Sequence, residues 1–340
     1  MLFRSNGNFY RLFAINPGSG AITLESEFLG DVVMDEETWA YVADAYAGLT
    51  FADMPKAEYT AEWVSTSASL GGNIGLNFMA KLSADVVNDP ETFVQFTYAD
   101  KVLKVPMSQA VEADRNGETV YRFTCPLTAK NMADEVTAQV FSANGAVGNA
   151  ATLSLAAYVE AVLDQHADNA KLVDLMKAMV NYGAAAQVHF GYNTENLANA
   201  ILAEADQVLV DVDASAYAHS KTGAEEGIDI TSAALLLDTN TIIRFYITLT
   251  GDKTIDEYTV TVNGKEVTPV ASGNRYYVDV TDIGAHNLDQ VQVLAIGDLS
   301  MSFSALSYVD LVLKKDASED LVDLVKALYA YAMAAENYIK

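Results

Sequence analysis

The feature of this sequence that most constrains its fold is an internal duplication. The segment Leu172–Phe190 aligns without a gap with Leu321–Ile339, and nine of the nineteen aligned positions are identical. Both segments carry apolar residues at intervals of three and four, the spacing that gives a helix one apolar face. Self-similarity of this length indicates a repeated unit, so the chain contains two homologous repeats.

A shorter helical pattern precedes each of these long helices. The connections between the short and long helices are only a few residues, which predicts antiparallel helical hairpins spanning residues 154–190 and 304–339. Asn169 and Ser318 stand just before the long helices. Both are expected N-caps, because a short polar side chain can accept hydrogen bonds from the amides of the first turn.

Strand-like segments lie upstream of both hairpins. They show near-alternating apolar residues, or many β-branched and aromatic residues, as strands do. They are Ile74–Leu82, Phe93–Tyr98, Val120–Thr124, Val136–Phe141, Ile242–Leu249, Tyr258–Val262, Tyr276–Val280 and Val291–Ile296. Short strands separated by turns predict antiparallel sandwiches of immunoglobulin-like size. The predicted fold class is therefore α+β, with two tandem antiparallel β-sandwich (Ig-like) units, each followed by an antiparallel helical hairpin.

These elements divide the chain into three predicted regions. Residues 57–206 form the first repeat and residues 207–340 the second. No segment rich in proline or glycine separates them, so direct contact is expected instead of a flexible tether. Residues 1–56 form an N-terminal piece, in which two strand-like runs flank the turn-rich Asn16–Gly20 and Met34–Ala47 has a helical pattern.

Composition excludes several classes of protein. The 46 acidic residues outnumber the 20 basic ones, and a net charge of −26 repels phosphate backbones, so no nucleic-acid partner is expected. No run of about 18 apolar residues is present, so no membrane span is expected. The polar start Met1–Tyr10 lacks the hydrophobic core of a signal peptide. One cysteine, Cys125, allows no internal disulfide and no cysteine-cluster metal site, and it is expected to be a buried, inert thiol.

The sequence carries no motif of a known catalytic site. The four histidines lack zinc-binding spacing, and His189 is expected at a packing position. Nucleophile elbows, P-loops and dinucleotide fingerprints are missing from the sequence. We therefore expect a chain that is not an enzyme and needs no cofactor. Calcium is the one ion with candidate ligands, in the acidic segments Asp211–Asp213 and Asp252–Glu257, although neither matches an EF-hand loop.

Tyrosines are the candidate ligand-binding residues. Sugar-binding sandwiches commonly use aromatic rings as platforms, because the faces of sugar rings are apolar. Tyr192 and Tyr217 lie in loop-like segments. Tyr276 and Tyr277 are adjacent on a predicted strand and must point to opposite faces, so one of them could be exposed. The alternative for each of these four residues is packing in the core or at a sheet edge.

Several segments resemble one module of large secreted or cell-surface proteins of gut Clostridia. They are NIGLNFMAKLS, ADEVTAQVFSANGAVG and, above all, LVDLMKAMVNYGAAAQVHFGYNTENLAN. The resemblance covers residues 57–206 well and residues 207–340 as a diverged second copy. It implies an extracellular or cell-surface location, and a tandem C-terminal position behind upstream domains of the same polypeptide. It carries no functional residue with it.

The N-terminal piece has a resemblance of its own. The segment Phe9–Leu29 resembles one hairpin of a β-propeller blade, a partial blade in a fold that needs about four or more blades. It implies that the chain continues a longer protein, or else that the hairpin packs onto the first sandwich.

Three functions are compatible with these patterns. The leading hypothesis is a non-catalytic structural, adhesive or binding module of a multidomain extracellular surface protein, since duplicated modules extend a chain or add avidity. The first alternative is a carbohydrate-binding module of a secreted glycan-degrading enzyme. The second is a hydrolase with paired carboxylates, although 46 acids give many chance pairs. The partner is expected to be a glycan or a protein ligand.

Overall fold

The computed structural model describes residues 2–5, 8–15, 22–26, 30–33, 58–69, 74–237, 239 and 241–340. The chain divides into two compact units, Met1–Ala57 and Glu58–Lys340.

In the first unit, four strands form an antiparallel sheet in chain order. They are β1 (Leu2–Ser5), β2 (Asn8–Ile15), β3 (Ile22–Ser26) and β4 (Gly30–Val33). The sequence predicts only the two central strands, so the sheet is twice as wide as the expected hairpin. The predicted turn at Asn16–Gly20 and the predicted helix at Met34–Ala47 lie outside the described residues.

The second unit begins with eight strands in two antiparallel sheets. One sheet has the order β5-β6-β10-β9 and the other β12-β11-β7-β8. The strands are β5 (Ala61–Ser69), β6 (Gly75–Leu82), β7 (Phe93–Tyr98), β8 (Lys101–Pro106), β9 (Val111–Arg115), β10 (Glu118–Pro126), β11 (Val136–Ser142) and β12 (Gly145–Leu153).

The later strands form two further sheets, with orders β14-β15-β19-β18 and β13-β21-β20-β16-β17. The strands are β13 (Ser220–Thr222), β14 (Ile228–Leu237), β15 (Thr241–Leu249), β16 (Val260–Val262), β17 (Lys265–Glu266), β18 (Val270–Ser272), β19 (Arg275–Val280), β20 (Gln292–Ile296) and β21 (Leu299–Phe303). Their order repeats that of β5–β12 strand for strand, with β13 added beside β21. The duplication found in the helices therefore extends to the sheets.

Alternating burial along the strands explains where the core lies. In β11 every second residue is buried, because successive side chains of a strand point to opposite faces. Inward-facing rings connect the two sheets of each repeat. The centroids of Phe78 and Phe96 lie 5.5 Å apart, and those of Phe245 and Phe303 lie 6.5 Å apart. The observed class is thus α+β with antiparallel sheets, as predicted, and each of the eight predicted strand segments overlaps an observed strand.

Five α-helices complete the described fold. They are α1 (Ala84–Asn88), α2 (Leu155–Gln165), α3 (Ala170–His189), α4 (Ala305–Leu313) and α5 (Glu319–Ile339). Asn169 caps α3 as predicted, since its side chain accepts a hydrogen bond from the Leu172 amide at 3.2 Å. Ser318 is the N-cap residue of α5, as predicted, but its side chain accepts no hydrogen bond from a first-turn amide and instead bonds to the Asp320 carboxylate.

The duplicated helices α3 and α5 pack against each other. Tyr182 and Tyr331, which occupy equivalent positions in the two repeats, stack with centroids 5.6 Å apart and an interplanar angle of 14°. At the C-terminal end of α3, His189 Nδ1 lies 2.5 Å from Asp320 Oδ2 at the start of α5. The two helices therefore run antiparallel, and the stacked tyrosines lie near the middle of their contact.

The segment between the repeats is tied to both helices. Lys177 of α3 pairs with Asp206 at 2.9 Å, and Lys326 of α5 pairs with Asp211 at 2.6 Å. The two lysines are equivalent residues of the duplication. Asn181 adds a hydrogen bond to the backbone carbonyl of Asp206 at 2.8 Å. The connection thus follows the helix pair instead of extending away from it.

Candidate functional site

Two of the four predicted tyrosines make the contacts of packing residues. The ring of Tyr217 meets that of Tyr329 edge-on, with centroids 6.2 Å apart. Its backbone carbonyl accepts a hydrogen bond from Ser307 Oγ at 2.6 Å, and burial raises the pKa of its phenol. Tyr276 is partly buried and packs against the core. The other two, Tyr192 and Tyr277, lie on separate surfaces, so the four residues do not form one site.

Tyr192 belongs to a surface beside the C-terminal end of α3. Lys130 Nζ lies 5.3 Å from the ring centroids of both Phe190 and Tyr192. Phe190 is 49% exposed, which is unusual for so large an apolar ring. These three residues are called the Phe–Tyr patch. It places a cation over two aromatic rings, one of which belongs to a half-exposed residue.

Hydrogen bonds hold this patch in place. The Tyr192 hydroxyl donates to Asp134 Oδ2 at 2.7 Å, and burial together with this carboxylate raises the pKa of Tyr192 to about 12. Gln187 is fully buried; its amide nitrogen donates to the carbonyls of Asn193 and Asn196, and its oxygen accepts from the Ala198 amide at 2.7 Å. The loop that carries Tyr192 is therefore fixed to α3 before any ligand arrives.

Tyr277 belongs to a second surface, on the outer face of the β14-β15-β19-β18 sheet. Tyr246 of β15 and Tyr277 of β19 are direct cross-strand partners. The guanidinium of Arg244 lies over the Tyr277 ring at 3.9 Å, and that of Arg275 lies over the Tyr246 ring at 4.0 Å. These four residues are called the Arg–Tyr quartet. Distances this short place each cation directly over an aromatic face, the arrangement that attracts it to the ring quadrupole.

One arginine of the quartet is anchored by a carboxylate. Arg244 donates from Nε and Nη2 to the two oxygens of Asp279, at 2.6 and 2.7 Å. This bidentate pairing fixes the guanidinium in plane and raises the pKa of Arg244 above its ordinary value. Asp279 thereby also holds the cation over Tyr277.

The fold itself does not require the quartet. In the first repeat, β6 and β10 occupy the places of β15 and β19. The cross-strand pair Leu76–Cys125 of the first repeat corresponds to the pair Ile243–Val280 of the second. At the positions of Tyr246 and Tyr277, the first repeat has Met79 and Arg122. The same architecture forms with quite different side chains on this face, so the quartet is a specific property of the second repeat.

Three acidic side chains of the segments considered for calcium have other partners. Asp211 pairs with Lys326 and Glu257 with Lys253, at 2.6 and 2.9 Å. Asp213 accepts a hydrogen bond from the Ser215 amide at 2.9 Å. Across the part of the chain that the structure describes, no three histidine, cysteine or acidic side chains gather in a metal-binding arrangement.

The single cysteine and His189 lie in contrasting surroundings. Cys125 is fully buried on β10, and burial raises the pKa of its thiol to about 12, which agrees with the predicted inert thiol. His189 packs edge-on against Phe190, with centroids 4.9 Å apart, but it also contacts Asp320. Its role is therefore more than the predicted packing.

No helix in the described ranges combines the length and the apolar character needed to cross a bilayer.

Comparison with protein-family models and with curated proteins finds no match to this chain.

Sequence reasoning missed most of the residues in these two surfaces. Arg244, Tyr246 and Arg275 were not predicted, although alternation along IIRFYIT places Arg244 and Tyr246 on one face of a strand. The missing information was the register of β15 against β19. Phe190 and Lys130 are sixty residues apart in sequence, and no local pattern connects them.

Proposed function

We propose that this chain is a non-catalytic structural, adhesive or binding module of a multidomain extracellular surface protein. In this proposal residues 57–206 and 207–340 are tandem β-sandwiches, each followed by a helical hairpin. The observation that supports it is the stacking of Tyr182 on Tyr331, which couples the repeats through their duplicated helices.

The coupling has the character of a structural joint. Tyr182 and Tyr331 are only 4% and 2% exposed, and they lie among small residues such as Ala185 and Ala335 that let the helices approach closely. The ion pairs of Lys177 and Lys326 hold the connecting segment against the same two helices. A unit built this way keeps a fixed angle between its repeats, which suits a spacer or a platform for presenting ligands.

Spin-label distances between the repeats test the rigid joint. Labels are placed on cysteines introduced at the exposed positions Asn144 and Ser272; Cys125 stays in place because a buried thiol reacts slowly. We expect one narrow distance distribution, and a broad one in the double variant Tyr182→Ala, Tyr331→Ala.

Lys265→Ala, an exposed change on β17, serves as the matched control and should leave the distribution narrow. A broad distribution in the otherwise unchanged protein would contradict the rigid joint and the spacer role with it.

A second candidate function is carbohydrate binding, as in modules attached to secreted glycan-degrading enzymes. The half-exposed ring of Phe190 favours it, because exposed aromatic faces stack on the apolar faces of sugars. The loop that carries Tyr192 is fixed by Gln187, so this surface loses little entropy on binding.

The test is a binding screen of the whole chain against plant polysaccharides, mucin glycans and bacterial wall material. We expect a saturable interaction that Phe190→Ala weakens at least about tenfold, while Val188→Ala, a similarly exposed residue on α3, leaves it unchanged. Equal losses in both variants, or none in either, would remove the Phe–Tyr patch from consideration.

A further inference from the structure

The two arginines of the Arg–Tyr quartet differ in one respect. Arg244 has both oxygens of Asp279 as acceptors. Arg275 lies over a tyrosine in the same way and is exposed to solvent, but no carboxylate pairs with it among the residues that the structure describes. Charged donors held in place without an acceptor are what a carboxylate ligand requires.

The surface around Arg275 is apolar and aromatic. Tyr246, Tyr277 and Val270 form a continuous row across three strands, because Tyr277 pairs with Tyr246 on one side and with Val270 on the other. Val270 is 49% exposed, and both tyrosines are partly exposed. A free guanidinium therefore lies next to an apolar strip on the same face.

This combination matches one ligand class closely. A uronic-acid residue carries a carboxylate and an apolar C–H face on a single rigid ring, so it can satisfy the cation and the aromatic row together. A flexible acidic side chain of a peptide offers the carboxylate without such a face. A neutral sugar offers the face without the charge.

We propose that the Arg–Tyr quartet binds a uronic-acid residue of an acidic polysaccharide. Its carboxylate pairs with Arg275, as Asp279 pairs with Arg244, and its C–H face lies against Val270 and the parts of the Tyr246 and Tyr277 rings that the two guanidinium groups leave exposed. This proposal rests on the binding role proposed above and assigns it a second surface, distinct from the Phe–Tyr patch.

Charge on this face favours an acidic ligand despite the acidic chain. The only two arginines of residues 207–340 are both in the quartet. Asp279 already pairs with Arg244, so the charge of Arg275 is left for a ligand. Charges farther away are largely screened beyond about 8 Å at physiological ionic strength, so the net −26 of the chain acts weakly here.

Calorimetric titration of the whole chain with tetragalacturonate tests the proposal. We expect saturable binding that weakens as NaCl is raised, and weaker binding of the fully methyl-esterified tetramer, which keeps the ring but loses the charge. Arg275→Ala should reduce the affinity at least about tenfold, and Arg275→Lys should reduce it less, because lysine keeps the charge without the planar fork.

Arg115→Ala provides the matched control, since Arg115 is an exposed arginine on β9 of the first repeat, and it should leave binding unchanged. The thermal midpoint of each variant is measured first, to show that it is folded. Failure of tetragalacturonate to bind, an unchanged affinity in Arg275→Ala, or equal binding of the methyl ester would each overturn the proposal. So would equal affinity for a tetraglutamate peptide, which would point to a protein ligand.

The carbohydrate-binding role and the assignment of the Arg–Tyr quartet as its site can be refuted separately. Binding of neutral glycans that depends on Phe190 but not on Arg275 would keep the carbohydrate-binding role and refute the quartet as its site.

Discussion

At the scale of single residues, the stacked tyrosines of the helix pair are chemically unequal. The Tyr331 hydroxyl is buried without a hydrogen-bond partner among the described residues, and burial raises the pKa of both phenols. A buried hydroxyl without a partner costs stability, on the order of 1–3 kcal/mol, because it gave up its bonds to water on folding. The ring of Tyr331 therefore stabilises the joint while its hydroxyl opposes it.

Tyr331→Phe should consequently stabilise the protein. The substitution keeps the stack and removes the unpaired hydroxyl, so we expect the free energy of unfolding to rise by about 1 kcal/mol. Urea denaturation measures it, with Tyr182→Phe as the matched control in the same stack. A loss of stability in Tyr331→Phe would mean that the hydroxyl has a partner after all.

At the scale of elements, the four helices of the hairpins and eight of the nine inner strands of residues 58–340 were predicted, whereas the edge strands were not. The spacing of apolar residues in α3 and α5 and the alternation of buried and less buried residues in β11 are local properties, which can be recognised in the sequence. All five residues of β9 are exposed, and β12 is rich in glycine and alanine, so neither strand carries large apolar residues at alternate positions. Each of these edge strands is fixed by its hydrogen bonds to the inner strand beside it, β10 for β9 and β11 for β12.

The candidate site shows the same limit. Tyr277 was predictable because adjacent tyrosines on a strand point to opposite faces. Its partner Arg244 lies more than thirty residues away and meets it only through the register of β15 and β19. That register depends on the whole sheet, and it was therefore beyond the reach of the local sequence.

The contact between the ends of α3 and α5 should make stability depend on pH. The Asp320 pKa lies below its ordinary value, because the Ser318 hydroxyl and His189 favour the ionised carboxylate. A carboxyl with a lowered pKa in the folded state stabilises that state above its unfolded pKa of about 3.9, and this contribution disappears as the pH falls through the folded value.

We therefore expect Asp320→Asn to lower the thermal midpoint at pH 6, with the difference from the unchanged protein vanishing towards pH 2–3. Glu319→Gln, one residue earlier in the same helical turn, is the control and should show a smaller difference. A difference between Asp320→Asn and the unchanged protein that stays constant from pH 2 to pH 7 would contradict this role.

At the scale of the molecule, the joint should make the two repeats unfold together. Truncating a buried aromatic residue to alanine typically costs about 3–5 kcal/mol of stability. Tyr182→Ala and Tyr331→Ala would each remove such a ring from the contact between the repeats. Hydrogen exchange in increasing urea follows β11 and β20, one from each repeat. We expect both strands to lose protection at the same urea concentration, and at different ones in the Tyr182→Ala, Tyr331→Ala variant.

Val188→Ala, at an exposed position of α3, should leave the two transitions coincident. Separate unfolding transitions in the unchanged protein would show that the two repeats unfold independently. The contact between α3 and α5 would then contribute little to stability.

The stacking of Tyr182 on Tyr331 also limits how many such repeats one assembly can hold. Equivalent residues meet across the joint, so the contact is isologous, like the interface of a twofold-symmetric dimer. An isologous contact is complete with two partners, because each uses the same patch of surface on the other. A third copy would find that patch occupied, so an array of these repeats would consist of separate pairs. In a solenoid, by contrast, each repeat has a second, free surface that contacts the next repeat.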